Sequence, residues 1–310
     1  MSQSLAFVFP GQGSQQVGML ADLAEEYPII EETFAEASEA LGFDLWQLVL
    51  QGPAEELNKT ENTQPALLAS GVALWRLWQQ QGGDMPTLVA GHSLGEYTAL
   101  VCAGAISFAD GVRLVKLRGE YMQEAVPAGT GAMAAILGLA DDAVAAACEA
   151  AAEGSVVSPV NYNCPGQIVI AGEKAAVERA IENCKEAGAK RAIPLPVSVP
   201  SHCALMKPAA EKLAVELEGI EVTMPSIPVV QNVAAAVAEN AEELKSQLLA
   251  QLYSPVLWTN SVQKMVDQGI ESTVECGPGK VLSGLNKKVH KPLQVASIGD
   301  KAGLAKALGQ

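Results

Sequence analysis

The sequence predicts an α/β protein in which a mainly parallel sheet, covered by helices, is interrupted by a smaller βαββαβ unit. Three observations lead there. Short apolar runs alternate with helix-periodic stretches across residues 1–128, the pattern of a sheet buried on both faces. Over residues 129–196 the order becomes strand, helix, strand, strand, helix, strand. Beyond Pro200 the strand–helix alternation returns. The expected division is a discontinuous larger domain, 1–128 with 197–310, and an insert, 129–196. Its hinges are Pro127-Ala128-Gly129-Thr130-Gly131 and the prolines 194, 196 and 200.

The first strand is expected at 5–9, followed by the turn Gly11-Gln12-Gly13-Ser14. Pro28 and Gly42 bracket a helix over 29–41, and a second helix is expected from Pro65 to about residue 81, where Gly82-Gly83 ends it. The apolar run Leu88-Val89-Ala90 is the next strand and leads through Gly91-His92-Ser93-Leu94-Gly95 into a helix. Ser107, with Asp110 three residues on, opens another helix to about 125. The insert reads as strand 132–137, helix 141–152, strand 156–162, a turn over 163–166, strand 167–171, helix 173–187 and strand 191–195, a ferredoxin-like split. Helices near 205–217, 241–252 and 258–268 and strands near 227–230 and 272–276 complete the larger domain. A ligand is expected in the cleft between the two units.

With 49% hydrophobic and 18% charged residues, the 310-residue chain has the composition of a globular protein with a large core. No apolar stretch is long enough to span a bilayer, and Met1-Ser2-Gln3-Ser4 lacks the basic start of a signal peptide. Six scattered cysteines form no C-x-x-C pair, which suggests neither zinc nor disulfides and fits a reducing cytoplasm. A net charge of −15 argues against nucleic-acid or anionic-membrane partners. Two stretches run against that charge: Lys190, Arg191 and Lys207, and Lys280, Lys287, Lys288 and Lys291, each without an intervening acid. Either they are solvated surface or they dock an anionic substrate or partner.

Strand, G-x-S-x-G, helix is the setting of a nucleophile elbow, which makes Ser93 the candidate nucleophile. The helix behind it directs free N–H groups and a positive dipole end at an oxyanion forming there. A serine hydroxyl needs a base. Of three histidines, His92 is fixed on the elbow itself and His290 lies among lysines, leaving His202 at the seam between the units. No acid stands out as a third triad member. Arg118 borders the apolar stripe Phe108, Val112, Val115, Met122. It requires a partner, either an internal acid or a substrate carboxylate captured by the planar guanidinium. Gly11-Gln12-Gly13-Ser14 lacks the P-loop ending. It fits better as the second half of an oxyanion hole, Gln12 N–H beside Leu94 N–H.

Together, Phe9-Pro10-Gly11-Gln12-Gly13-Ser14, Gly91-His92-Ser93-Leu94-Gly95-Glu96, Leu117-Arg118-Gly119, Pro200-Ser201-His202 and Gly277-Pro278-Gly279 resemble the malonyl-CoA:acyl carrier protein transacylases of bacterial type II fatty acid synthesis, in order and over essentially the whole chain. The resemblance implies an α/β-hydrolase-like larger domain with the ferredoxin-like insert. It implies Ser93 as the acylated nucleophile, His202 as its base, Arg118 as the holder of the malonyl carboxylate, and Gln12 and Leu94 as oxyanion donors. Gln251 matches the position whose main-chain carbonyl orients the histidine. The implied reaction is ping-pong transfer of malonyl from malonyl-CoA to the phosphopantetheine thiol of acyl carrier protein. No metal or redox cofactor is expected, and a monomer is expected. A serine thioesterase and a module that only binds the carrier are the competing readings.

Overall fold

The computed structural model describes residues 4–197 and 199–309. Residues 1–3, on which the signal-peptide reading partly rested, lie outside them. The strands are β1 (Leu5–Phe9), β2 (Leu88–Gly91), β3 (Gly131–Leu137), β4 (Val157–Cys164), β5 (Gln167–Glu173), β6 (Arg191–Pro194), β7 (Val229–Gln231), β8 (Ala236–Val237), β9 (Ser272–Glu275) and β10 (Gln294–Ser297). Six of them form one sheet in the order β10-β9-β1-β2-β7-β8, parallel throughout except for β8, which pairs antiparallel with β7.

The alternation of side chains along β1 explains its place in the middle. Phe7 and Phe9 face one layer, where Phe7 meets Trp75 and Trp78 edge-on at 5.4 and 5.3 Å. Ala6 and Val8 face the other, under Trp258, Val262 and Leu282. Helices Thr60–Gln80, Leu94–Cys102 and Phe108–Ala125 cover the first face, and Trp258–Asp267 and Val281–Val289 the second. The carboxyl ends of β1, β2 and β9 release the segments beginning at Pro10, His92 and Cys276, so three of the sequence motifs emerge at one edge of the sheet.

The other four strands form a separate antiparallel sheet, β4-β5-β3-β6. One of its faces carries helices Asp141–Ala152 and Lys174–Glu186, and on the other Met133, Val160 and Val169 cluster with Cys203. Backbone bonds from Tyr162 N to Val256 O (3.0 Å) and from Val256 N to Val160 O (2.8 Å) join this sheet to the larger body.

Several elements differ from the sequence reading. The strand expected near 227–230 is Val229–Gln231, and helices Leu45–Gln51, Val281–Val289 and Lys301–Ala307 and strand β10 were not expected. Two boundaries moved for a visible reason. The helix expected to begin at Pro65 begins at Thr60 and contains the proline. Asn62 Nδ2 to Glu56 O (2.9 Å) and Thr63 Oγ1 to Leu57 O (2.5 Å) anchor this early turn, outweighing the backbone bond that Pro65 cannot donate. The turn expected over 163–166 narrows to Pro165-Gly166, because β4 continues through Cys164 with two register shifts. No helix among the described residues is long and apolar enough to cross a membrane.

Candidate active site

Ser93 occupies a backbone conformation that non-glycine residues seldom adopt, φ 53° and ψ −112°. Crowding imposes it. A Cβ on Gly91 would lie 1.9 Å from the Gly95 carbonyl carbon, and one on Gly95 would lie 2.0 Å from the Phe9 carbonyl oxygen. Asn232 clamps the bend from the end of the neighbouring strand β7. Its Oδ1 accepts from Ser93 N at 2.7 Å, and its Nδ2 donates to Gly91 O at 2.6 Å. Ser93 N–H is thereby engaged, whereas Leu94 N–H and Gln12 N–H have no protein acceptor among the described residues. The two turns lie side by side, with His92 N donating to Phe9 O at 3.0 Å.

His202 Nε2 is 2.8 Å from Ser93 Oγ, and His202 Nδ1 is 2.6 Å from the main-chain oxygen of Gln251. A carbonyl can only accept, so Nδ1 carries the ring proton and Nε2 presents its lone pair to the serine. The residue is 2% exposed, has φ 65°, and is tied by its own N–H to Leu252 O at 2.9 Å. Burial, and next the positive charge of Arg118, push its pKa down to about 3. His92 turns elsewhere: its Nε2 meets Asn163 Oδ1 at 2.8 Å, on β4 of the smaller sheet.

Arg118 is fully buried. Its Nη1 donates to Gln64 Oε1 at 2.7 Å, its Nη2 to Gln251 Oε1 at 2.9 Å and to Ser93 Oγ at 3.4 Å, and Tyr97 lies against the guanidinium at 5.2 Å. Among the described residues no carboxylate forms an ion pair with it, and its Nε has no partner. The internal salt bridge weighed from the sequence is therefore absent from this set. What remains is a buried cation beside the elbow serine, held by neutral amides, an arrangement suited to an incoming anion.

Three residues that sequence reasoning passed over complete the cluster. Glu96, fully buried, accepts from Gln251 Nε2 at 2.7 Å and from Asn232 N at 3.1 Å. Burial raises its pKa to about 7. Asn232 and Gln64 are likewise fully buried. Gln251 was assigned only a carbonyl role, yet its side chain links Arg118, Glu96 and Ser93 O, the last at 3.0 Å. Among the described residues no group of three His, Cys, Asp or Glu side chains is arranged to hold a metal ion. All seven basic residues of the two stretches are exposed. Lys280 also lies 3.7 Å from Asp300, Lys287 donates to Leu293 O at 2.9 Å and Lys288 to Gln167 at 3.2 Å, which leaves Lys190, Arg191, Lys207 and Lys291 unengaged among the described residues.

An elbow serine, a buried histidine and a guanidinium thus share one hydrogen-bonded network. The acyl transferase domain family matches residues 6–304, and the chain belongs to it. It is 65% identical over 305 residues to the malonyl CoA-acyl carrier protein transacylase of Salmonella typhimurium, covering 98% of this chain and 99% of that one. The Bacillus subtilis protein of the same name is 50% identical over 297 residues, 96% of this chain and 93% of that one. Among solved structures, the acyl carrier protein S-malonyltransferase of Vibrio cholerae superimposes with a TM-score of 0.96 at 61% identity, covering 98% of this chain and 99% of that one. A type II PKS acyl-carrier protein in complex with its malonyl-transacylase gives 0.97 at 60% identity, covering 99% of each chain.

Proposed function

We propose that the chain is a malonyl-CoA:acyl carrier protein transacylase of fatty acid biosynthesis, working through a malonyl ester on Ser93. The observation that carries the malonyl reading is the buried Arg118 guanidinium, without a carboxylate partner among the described residues and 3.4 Å from Ser93 Oγ. A short diacid joined through one end to that oxygen brings its free carboxylate to the guanidinium. A neutral acyl group leaves the cation uncompensated.

In the first half-reaction His202 Nε2 takes the Ser93 proton while Oγ attacks the thioester carbonyl of malonyl-CoA. Gln251 O holds the ring with its proton on Nδ1 and stabilises the imidazolium that forms. Gln12 N–H and Leu94 N–H receive the oxyanion. His202 returns the proton to the departing sulfur of coenzyme A, and the malonyl ester stays, its carboxylate on Arg118. In the second half-reaction the phosphopantetheine thiol of acyl carrier protein loses its proton to His202 and attacks the ester, and Ser93 leaves with the proton. The scheme uses no metal and no redox cofactor, and coenzyme A enters only as the substrate thioester.

The scaffold reading belongs with this proposal: residues 1–128 and 197–310 form an α/β-hydrolase-like catalytic domain and residues 129–196 a ferredoxin-like insert, supported by the two separate sheets. We also propose a cytoplasmic monomer whose exposed Lys190, Arg191 and Lys291 dock the acidic carrier. Initial rates against both substrates test the covalent route. Parallel double-reciprocal lines are expected, and intersecting lines would exclude a free acyl-enzyme.

A further inference from the structure

Arg118 is joined to the turn after β1 by an unbroken chain of hydrogen bonds. Nη1 of Arg118 donates to Gln64 Oε1 at 2.7 Å, Gln64 Nε2 donates to Thr60 Oγ1 at 3.0 Å, and Thr60 Oγ1 donates to Gln12 Oε1 at 3.0 Å. Every donor points the same way, from the guanidinium toward the turn. Gln64 is fully buried and Thr60 is 7% exposed, so water does not substitute freely for either partner.

The hydroxyl of Thr60 sets the polarity of the chain. It has one proton, and giving it to Gln12 leaves lone pairs for the Gln64 amide. That choice directs Gln64 Oε1 toward Arg118. With the amide reversed, its NH2 would face the guanidinium donors. Aligned hydrogen bonds at low dielectric also polarise one another, so the chain is stiffer than its separate links. Thr60 belongs to the helical turn ahead of Pro65, which forms against propensity and is anchored through Asn62 and Thr63. Without that turn Thr60 would not lie between Gln12 and Gln64.

We propose that Thr60 is a positioning residue that couples carboxylate capture at Arg118 to the oxyanion-binding turn at Gln12, so that a diacid thioester is favoured in rate as well as in binding. The inference rests on the roles given above to Arg118 and Gln12. A carboxylate seated on Arg118 immobilises the guanidinium, which fixes Gln64, Thr60 and the Gln12 side chain. The Gln12 N–H is then held toward the reacting carbonyl. An acetyl group engages the same oxyanion donors but adds no ion pair at the arginine end of the chain.

The test compares transfer of malonyl and acetyl groups from their coenzyme A thioesters to acyl carrier protein. Thr60→Val keeps the shape and removes the hydroxyl, and Thr60→Ser restores it. For Thr60→Val, malonyl kcat is expected to fall about tenfold with KM for malonyl-CoA within about twofold, and acetyl transfer to change less than about twofold. Thr60→Ser should recover most of the malonyl rate. On an Arg118→Ala background, Thr60→Val should change neither substrate. Equal slowing of both substrates, or no slowing of either, overturns the coupling while leaving the clamp intact. Unchanged malonyl preference in Arg118→Ala alone would instead remove the clamp, and the coupling with it.

Discussion

Replacing Arg118 with alanine is the sharpest perturbation of the carboxylate clamp. The guanidinium is fully buried, and its Nη2 lies 3.4 Å from Ser93 Oγ. A carboxylate about 4 Å from it, at an effective dielectric near 20, is attracted by about 4 kcal/mol. Truncating one partner of a buried, hydrogen-bonded charge pair costs about 2–5 kcal/mol. The malonyl specificity constant should therefore fall roughly 30- to 5,000-fold. Part of any loss is shared by all substrates, because Gln64 Oε1 and Gln251 Oε1 are left without their donor. Acetyl-CoA measures that shared part, having no carboxylate to lose. The assay is competition between malonyl-CoA and acetyl-CoA for one pool of carrier, read as the ratio of products. A ratio within about threefold of the parent enzyme would refute the clamp, since no ordinary buried charge pair is that weak.

Asn232→Ala strips Ser93 N and Gly91 O of their partners, so urea unfolding should show a loss of about 2 kcal/mol and acylation should slow more than about tenfold. Unchanged acylation would mean that the elbow holds its strain without the clamp. His202, lowered to about 3 from 6.5, contributes stability that is complete above pH 6.5 and is lost as the pH falls from there. Glu96, raised from 4.5 to about 7, has the opposite sign: its contribution is complete below pH 4.5 and is lost as the pH rises through 7. The Tm of Glu96→Gln relative to the parent should thus rise between pH 5 and pH 8, and a difference independent of pH would contradict the raised pKa. Reversing Lys190, Arg191 and Lys291 to glutamate should slow transfer to the carrier and weaken its salt dependence, with acylation by malonyl-CoA unchanged. Identical carrier kinetics would relocate the docking surface.

The parts legible in the sequence were those coded locally. Glycines at 91 and 95 fix the elbow by contact with neighbours a few residues away or on the adjoining strand, and the scarcity of histidine singled out His202. The βαββαβ order of the insert followed from short-range periodicity. Asn232 reaches the elbow across 139 residues and carried no local signal. Glu96 resembled an ordinary acid in a first helical turn, favoured there by the dipole, although it is buried beneath Gln251 and Asn232. Pro65 concealed the turn that brings Thr60 and Gln64 into the site, because backbone propensity and tertiary anchoring disagree at that point. Helix Val281–Val289 was obscured by its own lysines, which drew notice as charge while Leu282 and Leu285 packed inward.

Intact mass of the protein after brief mixing with malonyl-CoA, followed by addition of acyl carrier protein, tests the covalent step most directly. The expected result is a single malonyl adduct that maps to Ser93, is missing in Ser93→Ala, and disappears as the carrier gains the same mass. Transfer to the carrier with no adduct at any time, or an adduct that persists in Ser93→Ala, would contradict a malonyl-serine intermediate.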